Sequence, residues 1–241
     1  MVRLAILLLV GCAAWAQDAP AFDVASVKLT QHGRNAEGVA ISDLKITSPG
    51  RLVGTNSSLD ECIRWAYGVK EYQISGPDWL NSDEASYDIE AKAPPATTEA
   101  QIRLMLRRLL AERLGVKLHR ETRVLPVYEL VVGKGGPKLQ AAAAGARSGF
   151  MSMGGRDGVR VTSDKATMAG FANRLSTDVG RPVIDRTGLD GAFAIKLEWA
   201  REGAGVSVFT AVQELGLKLQ AAKAPIDVLV IDHAERVPTE N

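Results

Sequence analysis

Four carboxylates late in the chain, Asp185, Asp190, Asp232 and Glu235, are the side chains best suited to acid–base work. A pair of such groups serves glycoside hydrolysis, one protonating the leaving oxygen and one attacking or activating water. A carboxylate-dependent hydrolase acting on envelope or extracellular glycans is therefore one reading. Against it, Arg186-Thr187-Gly188-Leu189-Asp190-Gly191 is turn chemistry, where Asp and Gly sit for conformational reasons. Asp232-His233-Ala234-Glu235 is the densest ligand cluster, but neighbours in an extended segment do not converge on one ion without partners from elsewhere. The histidines, His32, His119 and His233, form no His-Glu-x-x-His, and there is no Cys-x-x-Cys.

Nucleophile and phosphate signatures are also lacking. Ser152 comes closest to Gly-x-Ser-x-Gly, but Phe150 stands where the first Gly belongs. Ser42-Asp43-Leu44-Lys45 matches Ser-x-x-Lys without a Lys-Thr-Gly companion, and it lies beside a strand rather than opening a helix. Gly133 to Lys138 lacks phosphate-loop spacing. No catalytic residue, metal site or cofactor is expected.

Binding is the other chemistry available. Trp65, Tyr72 and Trp79 are close in sequence, and Trp65 falls off the apolar stripe of its helix, so it is the best candidate for an exposed aromatic. With Asp185, Arg186 and Asp190 these form the candidate ligand-binding set; core packing of the rings competes. The basic run from Arg103 to Arg123 suits an anionic surface or, more simply, a solvated helix face. Cys62 lies on the stripe Leu59, Cys62, Ile63, Ala66, Tyr67 and reads as a buried small hydrophobe.

These residues need elements to hold them. Phe22 to Lys28 and Ser86 to Lys92 alternate as half-buried strands do. Ser48-Pro49-Gly50 turns a hairpin between Leu44–Ile46 and Leu52–Val53. Ser58 and Glu61 form a capping box for a helix that Gly68 stops. Thr98 caps the longest helix, whose buried face is Ile102, Met105, Leu106, Leu109, Leu110 and Leu114. Val116–Leu118 and Val127–Val132 follow as separate strands. Later come a hairpin turning at Gly154–Gly158, a helix from Thr167 to Val179, strands at Pro182–Asp185 and Ala192–Trp199, a short helix at Val208–Leu215, and strands at Leu217–Leu219 and Ile226–Ile231.

The order of elements repeats. Arg51 aligns with Arg160, Leu59 with Met168, Tyr87 with Phe193, Leu114 with Leu215 and Pro126 with Pro225, and the spacing between partners shrinks in steps along the chain. The expected fold is α+β, two similar subdomains from an internal duplication, each an antiparallel-rich sheet covered by two helices. The expected divisions are a signal peptide at 1–16, a first repeat with its N-terminal strand at 17–139, an Ala/Gly linker at 140–149 and a second repeat at 150–241.

Arg3, the apolar run Leu4–Val10 and Ala14-Trp15-Ala16 read as an export signal cleaved before Gln17, giving a periplasmic or secreted protein. Leu9-Val10-Gly11-Cys12 offers the alternative of a lipoprotein box, with Cys12 lipidated and the protein anchored in the envelope. The run is too short to span a bilayer, and no later segment does so. Of 29 basic residues cleavage removes Arg3, leaving 28 against 28 acidic ones. A neutral exported chain is a poor nucleic-acid binder. Its partner is expected to be an envelope protein or a glycan.

The motifs FDVASVK, NSSLDECIRWAYGV, QISGPDWL, MLRRLLAERLGVKLHRETRVLPVYELVVGKGGPKL, GRPVIDRTGLDGAF, FTAVQELGLKL and VIDHAERVPTEN occur in that order. In this the chain resembles the acidobacterial (Solibacter-type) family of exported proteins with a domain of unknown function. The likeness covers nearly all of the chain after the leader. It implies an exported, mostly stand-alone protein, in some members placed after membrane metallopeptidases of the beta-lactam-sensor type. It carries no activity and hence no catalytic residue. One departure is a shortened segment near Glu214, which trims the second copy's helix. A non-catalytic binding, sensing or assembly role at the envelope is the expected function.

Overall fold

A computed structural model describes residues 20–30, 42–82, 85–155, 158–200 and 205–239. The expected leader with Cys12, His32, and the Arg156-Asp157 tip of the second hairpin lie outside the described residues. The elements along the chain are β1 (Val24–Leu29), β2 (Asp43–Ser48), β3 (Arg51–Ser58), α1 (Leu59–Tyr67), β4 (Ile74–Ser75), β5 (Ser86–Lys92), α2 (Glu99–Leu114) and β6 (Lys117–Val132). Then follow β7 (Gln140–Ala141), β8 (Met151–Gly154), β9 (Val159–Ala166), α3 (Met168–Val179), β10 (Val183–Asp185), β11 (Phe193–Trp199), α4 (Val208–Glu214) and β12 (Leu217–His233). Among the described residues the fold is α+β, with four α-helices and three four-stranded sheets. The chain divides into two compact units: Met1–Gly68 with Asp78–Lys117 and His233–Asn241, and Val69–Pro77 with Leu118–Asp232.

The first unit holds the sheet β1-β5-β3-β2, antiparallel throughout. Alternation decides β5: Tyr87, Ile89 and Ala91 are buried while Asp88, Glu90 and Lys92 face out. At the β2–β3 turn Gly50 has φ 75°, and a Cβ there would meet the Ala93 carbonyl oxygen at 2.3 Å, so no other residue fits. Helix α1 buries Leu59, Cys62, Ile63 and Ala66. Its cap Ser58 accepts from the Glu61 amide at 3.1 Å. The Glu61 side chain does not close the expected box; its carboxylate accepts the Ser42 hydroxyl instead. A complete box starts α2, where Thr98 and Gln101 satisfy each other's backbone N–H, and Gly115 ends the helix at φ 58°. The α2 face expected from spacing is buried, and fully buried side chains such as Leu106 and Leu110 each contribute about 1.5–3 kcal/mol.

The second unit holds two sheets. In β7-β11-β9-β8 the strands are antiparallel, and Gln140–Ala141, at the start of the segment read as a linker, pair with β11. Helices α3 and α4 supply Phe171, Leu175, Ala211 and Val212 to a core shared with Val161, Ile195 and Leu197. The other sheet has the order β10-β6-β12-β4, with the two short outer strands parallel to their neighbours. Along β6 and β12, Gly133 N donates to Gly216 O at one end, while Thr122 Oγ1 reaches Asp227 and His119 reaches Asp232 toward the other, so the long strands run antiparallel.

This third sheet departs from the expectation of one sheet per half. The strands expected separately at Val116–Leu118 and Val127–Val132, and at Leu217–Leu219 and Ile226–Ile231, are joined in the continuous β6 and β12, which run through Pro126 and Pro225. Tyr128 N donates to Pro182 O, so the nitrogen of Pro126, two residues earlier, faces the same edge of β6. There β10 pairs only with Tyr128–Leu130, and a missing N–H costs nothing. Pro225 is placed likewise. Asp227 O points to the β4 side, where Gln73 Nε2 reaches it, and β4 pairs only with Leu229 and Val230.

Candidate functional site

The first unit contains a polar cleft of about 340 Å³ where β3 passes into α1. Its position follows from a β-bulge. Between the pairs Gly54–Ile89 and Ser57–Tyr87, Thr55 and Asn56 stand opposite Asp88 alone. Asn56 takes φ 48°, the one positive φ of a non-glycine among the described residues. Asn tolerates this region better than most residues, and here it is pinned: the Asp88 carboxylate accepts from Asn56 N at 2.9 Å and from Thr30 Oγ1 at 3.1 Å.

From that corner the lining is built of hydroxyls and amides. Ser58 and Glu61 come from the first turn of α1, Asn81 and Ser82 from the 3-10 turn Asp78–Asn81 and the residue after it, and Ser86 from the start of β5. Ser42 and Arg64 complete it. The Ser58 hydroxyl, besides capping α1, reaches Asn81 Oδ1 at 3.3 Å. Ser82 Oγ donates to Trp79 O at 2.9 Å and Ala85 N to Ser82 O at 3.0 Å, which holds the turn. Both charges are answered within the protein: Arg64 Nε donates to Asp60 at 2.6 Å, and Glu61 accepts from Ser42. The Ser86 hydroxyl and the side-chain amide of Asn56 make no hydrogen bond among the described residues, although Ser86 is only 5% exposed. They are spare donors and acceptors.

The residues singled out from sequence fall elsewhere. Trp65 and Trp79 belong to the first unit, Tyr72 to the second. Neither Trp ring is a bare platform: the Arg103 guanidinium lies 4.5 Å over Trp65 and that of Arg236 5.1 Å over Trp79. Tyr72 is half-buried, and burial raises the pKa of its hydroxyl. Asp185 is spent on its own turn, accepting from Thr187 N at 2.9 Å and Thr187 Oγ1 at 2.7 Å. Arg186 lies 3.7 Å from Glu129, and Asp190 is exposed. The structure groups Asp185, Arg186 and Asp190 on one turn of the second unit.

Of the remaining carboxylates, Asp232 bonds His119 Nδ1 at 2.9 Å and Glu235 lies 3.6 Å from His233. No group of three or more His, Cys, Asp or Glu among the described residues is placed to hold a metal ion. Cys62 is fully buried, and burial drives its thiol pKa far up, so it packs as a hydrophobe. Much of the basic run is structural. Arg103 Nη1 donates to Trp65 O, Arg107 Nε donates to Ala66 O at 2.9 Å, and the Arg107 guanidinium stacks 4.4 Å over Tyr67. Arg108 pairs with Glu112, and Arg123 pairs with Glu121 and holds that carboxyl below its usual pKa.

Sequence reasoning missed Asn56, Asn81 and Ser86. The signal that was present is Asn56-Ser57-Ser58, a polar triplet at the end of a strand, with Asn able to take the left-handed conformation.

Fold and cleft together define an α+β protein with a small hydrogen-bonding cleft. Residues 60–234 match a family described as proteins of unknown function, DUF3738, and the chain belongs to that family. No curated protein and no solved structure matches it. No helix among the described residues is long and apolar enough to cross a membrane.

Proposed function

We propose that this protein is a non-catalytic binding module that works outside the cytoplasm, and that the polar cleft of its first unit is the binding site. The observation that carries this is the set of uncommitted groups on Asn56 and Ser86 around a pinned left-handed residue. Strained backbone kept in place by surrounding structure concentrates at ligand-contacting positions. The glycosidase alternative needs two carboxylates facing one cleft. Glu61 is the one carboxylate among the described lining residues, and it is bonded to Ser42. Asp185 and Asp232 are engaged elsewhere.

Internal duplication is part of the proposal. Three features support it. The sheets β1-β5-β3-β2 and β7-β11-β9-β8 have the same order with each strand replaced by its counterpart. The order β10-β6-β12-β4 maps onto itself when counterparts are exchanged. The bulge recurs: between Ser163–Ile195 and Ala166–Phe193, Asp164 and Lys165 stand opposite Ala194. In that alignment Lys165, Gly170, Asn173 and Ala192 take the places of Asn56, Glu61, Arg64 and Ser86. The second copy keeps the bulge and lacks the cleft's hydrogen-bonding set, which is what specialisation of one copy for binding leaves behind.

Export rests on the first residues of the sequence and on the family resemblance. Fractionation of a Gram-negative host expressing the full chain, with mass analysis of the mature N-terminus, tests it. A chain starting at Gln17 outside the cytoplasm is the expected product. An acylated Cys12 would mean an anchored form, and an unprocessed cytoplasmic chain would overturn the proposal. For binding, full-length protein and the Asn81→Ala/Ser86→Ala variant are immobilised and exposed to envelope extract. Retention by the first alone is expected; equal retention by both would remove the cleft from the account.

A further inference from the structure

We infer that the cleft takes a polyhydroxylated ligand of sugar-ring size, an inference that rests on reading the cleft as a binding site. The lining is unusual for a small-molecule pocket, most of which are predominantly apolar. Here Ser42, Ser58, Ser82 and Ser86 bring hydroxyls and Asn56 and Asn81 bring amides. Hydroxyls and amides both donate and accept, which matches a ligand whose own groups do both. An apolar ligand would strip water from these groups and leave them unpaired, which is costly.

Among the described lining residues Arg64 and Glu61 are the charged ones, and each already has an oppositely charged or hydrogen-bonding partner at Asp60 and Ser42. A polyol can use the hydroxyls and amides of the lining while both of those bonds stay in place. The volume of about 340 Å³ lies at the small end of ligand pockets, roughly 300–1,000 Å³, which suits a single ring better than an extended chain. No aromatic ring is among the described lining residues, so these hold the ligand by hydrogen bonds at its edges and not by stacking on its face. A monosaccharide should therefore bind weakly, with Kd in the millimolar range. Asn56 is the positioning element: the bulge and the Asp88 carboxylate fix its backbone, so its side chain is delivered to the cleft at little further entropic cost.

The test is an amide NMR titration of the full-length protein with glucose, N-acetylglucosamine and, as a zwitterionic comparison, glycine. The expected result is saturable shifts with at least one sugar at the amides of Asn56, Glu61, Asn81 and Ser86, and none with glycine. Asn81→Ala/Ser86→Ala should weaken the sugar at least tenfold. Asn56→Gly, which keeps the left-handed backbone and removes the amide, should weaken it too while the rest of the spectrum stays unchanged, so a folding defect cannot mimic the result. Saturable cleft shifts with glycine and not with the sugars would overturn the ligand class and leave the binding site standing. Sugar shifts that map elsewhere, or that survive all three substitutions, would overturn the inference. Silence from all three probes would overturn the inference and weigh against the cleft as a site.

Discussion

Arg107→Ala should destabilise the first unit by about 2–3 kcal/mol. The magnitude follows from what the guanidinium does at the end of α1. Gly68 N takes Arg64 O, leaving Trp65 O and Ala66 O without helical partners. Arg103 satisfies the first and Arg107 Nε the second at 2.9 Å. A hydrogen bond from a charged donor contributes about 1.5–3 kcal/mol, and a cation at a helix C-terminus about 0.3–1 more. Stacking 4.4 Å over Tyr67 adds about 0.5–1. Water can re-enter a half-buried site, which places the total toward the lower end of the sum. Arg107→Lys keeps the charge but not the fork and should cost about 1 kcal/mol. Trp65 and Trp79 lie in the first unit, so urea unfolding followed by tryptophan fluorescence reports it, with Trp199 marking the second. A double-mutant cycle with Tyr67→Leu should return a coupling of about 0.5–1 kcal/mol. An Arg107→Ala variant within about 0.5 kcal/mol of wild type would refute the reasoning and return the basic helix to a role at the surface.

Three further outcomes are expected. The Tyr87 hydroxyl donates to Arg236 O at 2.9 Å, and burial pushes its pKa up to about 12. A folded pKa above the unfolded value of about 10 means the contribution is complete below pH 10 and is lost as pH rises toward 12, by about 2–3 kcal/mol; Tyr87→Phe should flatten that limb in alkaline denaturation curves and cost about 1 kcal/mol at neutral pH. Cys62 should resist iodoacetamide in the folded protein at pH 8 and react at the rate of unfolding, and prompt labelling would contradict its burial. The Ser163 hydroxyl is buried without a hydrogen-bond partner among the described residues, so Ser163→Ala should be neutral or stabilising by up to about 1 kcal/mol in thermal unfolding, and a loss of more than that would reveal a bonded partner.

Local patterns carried much of the fold. The spacing of Ile102 to Leu114 and the Thr98 cap located α2, and strict alternation located β5 to the residue. The third sheet was not legible, because a proline reads as a strand break unless the open edge beside it is known, and that edge belongs to a different part of the chain. The site was less legible still. Trp65 looked exposed on its own helix because the arginine covering it comes from another helix. Asn56, Asn81 and Ser86 are unremarkable polar residues until a bulge and a 3-10 turn bring them to one cleft. Asp185, conspicuous in sequence, accepts from Thr187 within its own turn.

Hydrogen–deuterium exchange of the full-length protein, with and without envelope extract, tests the central claim without any substitution. Engagement of the cleft predicts slowed exchange in peptides spanning Thr55–Glu61 and Asn81–Ser86, with the second copy's counterpart Asp164–Gly170 unchanged. Equal exchange in both conditions, or protection confined to the turn at Asp185–Asp190, would contradict it.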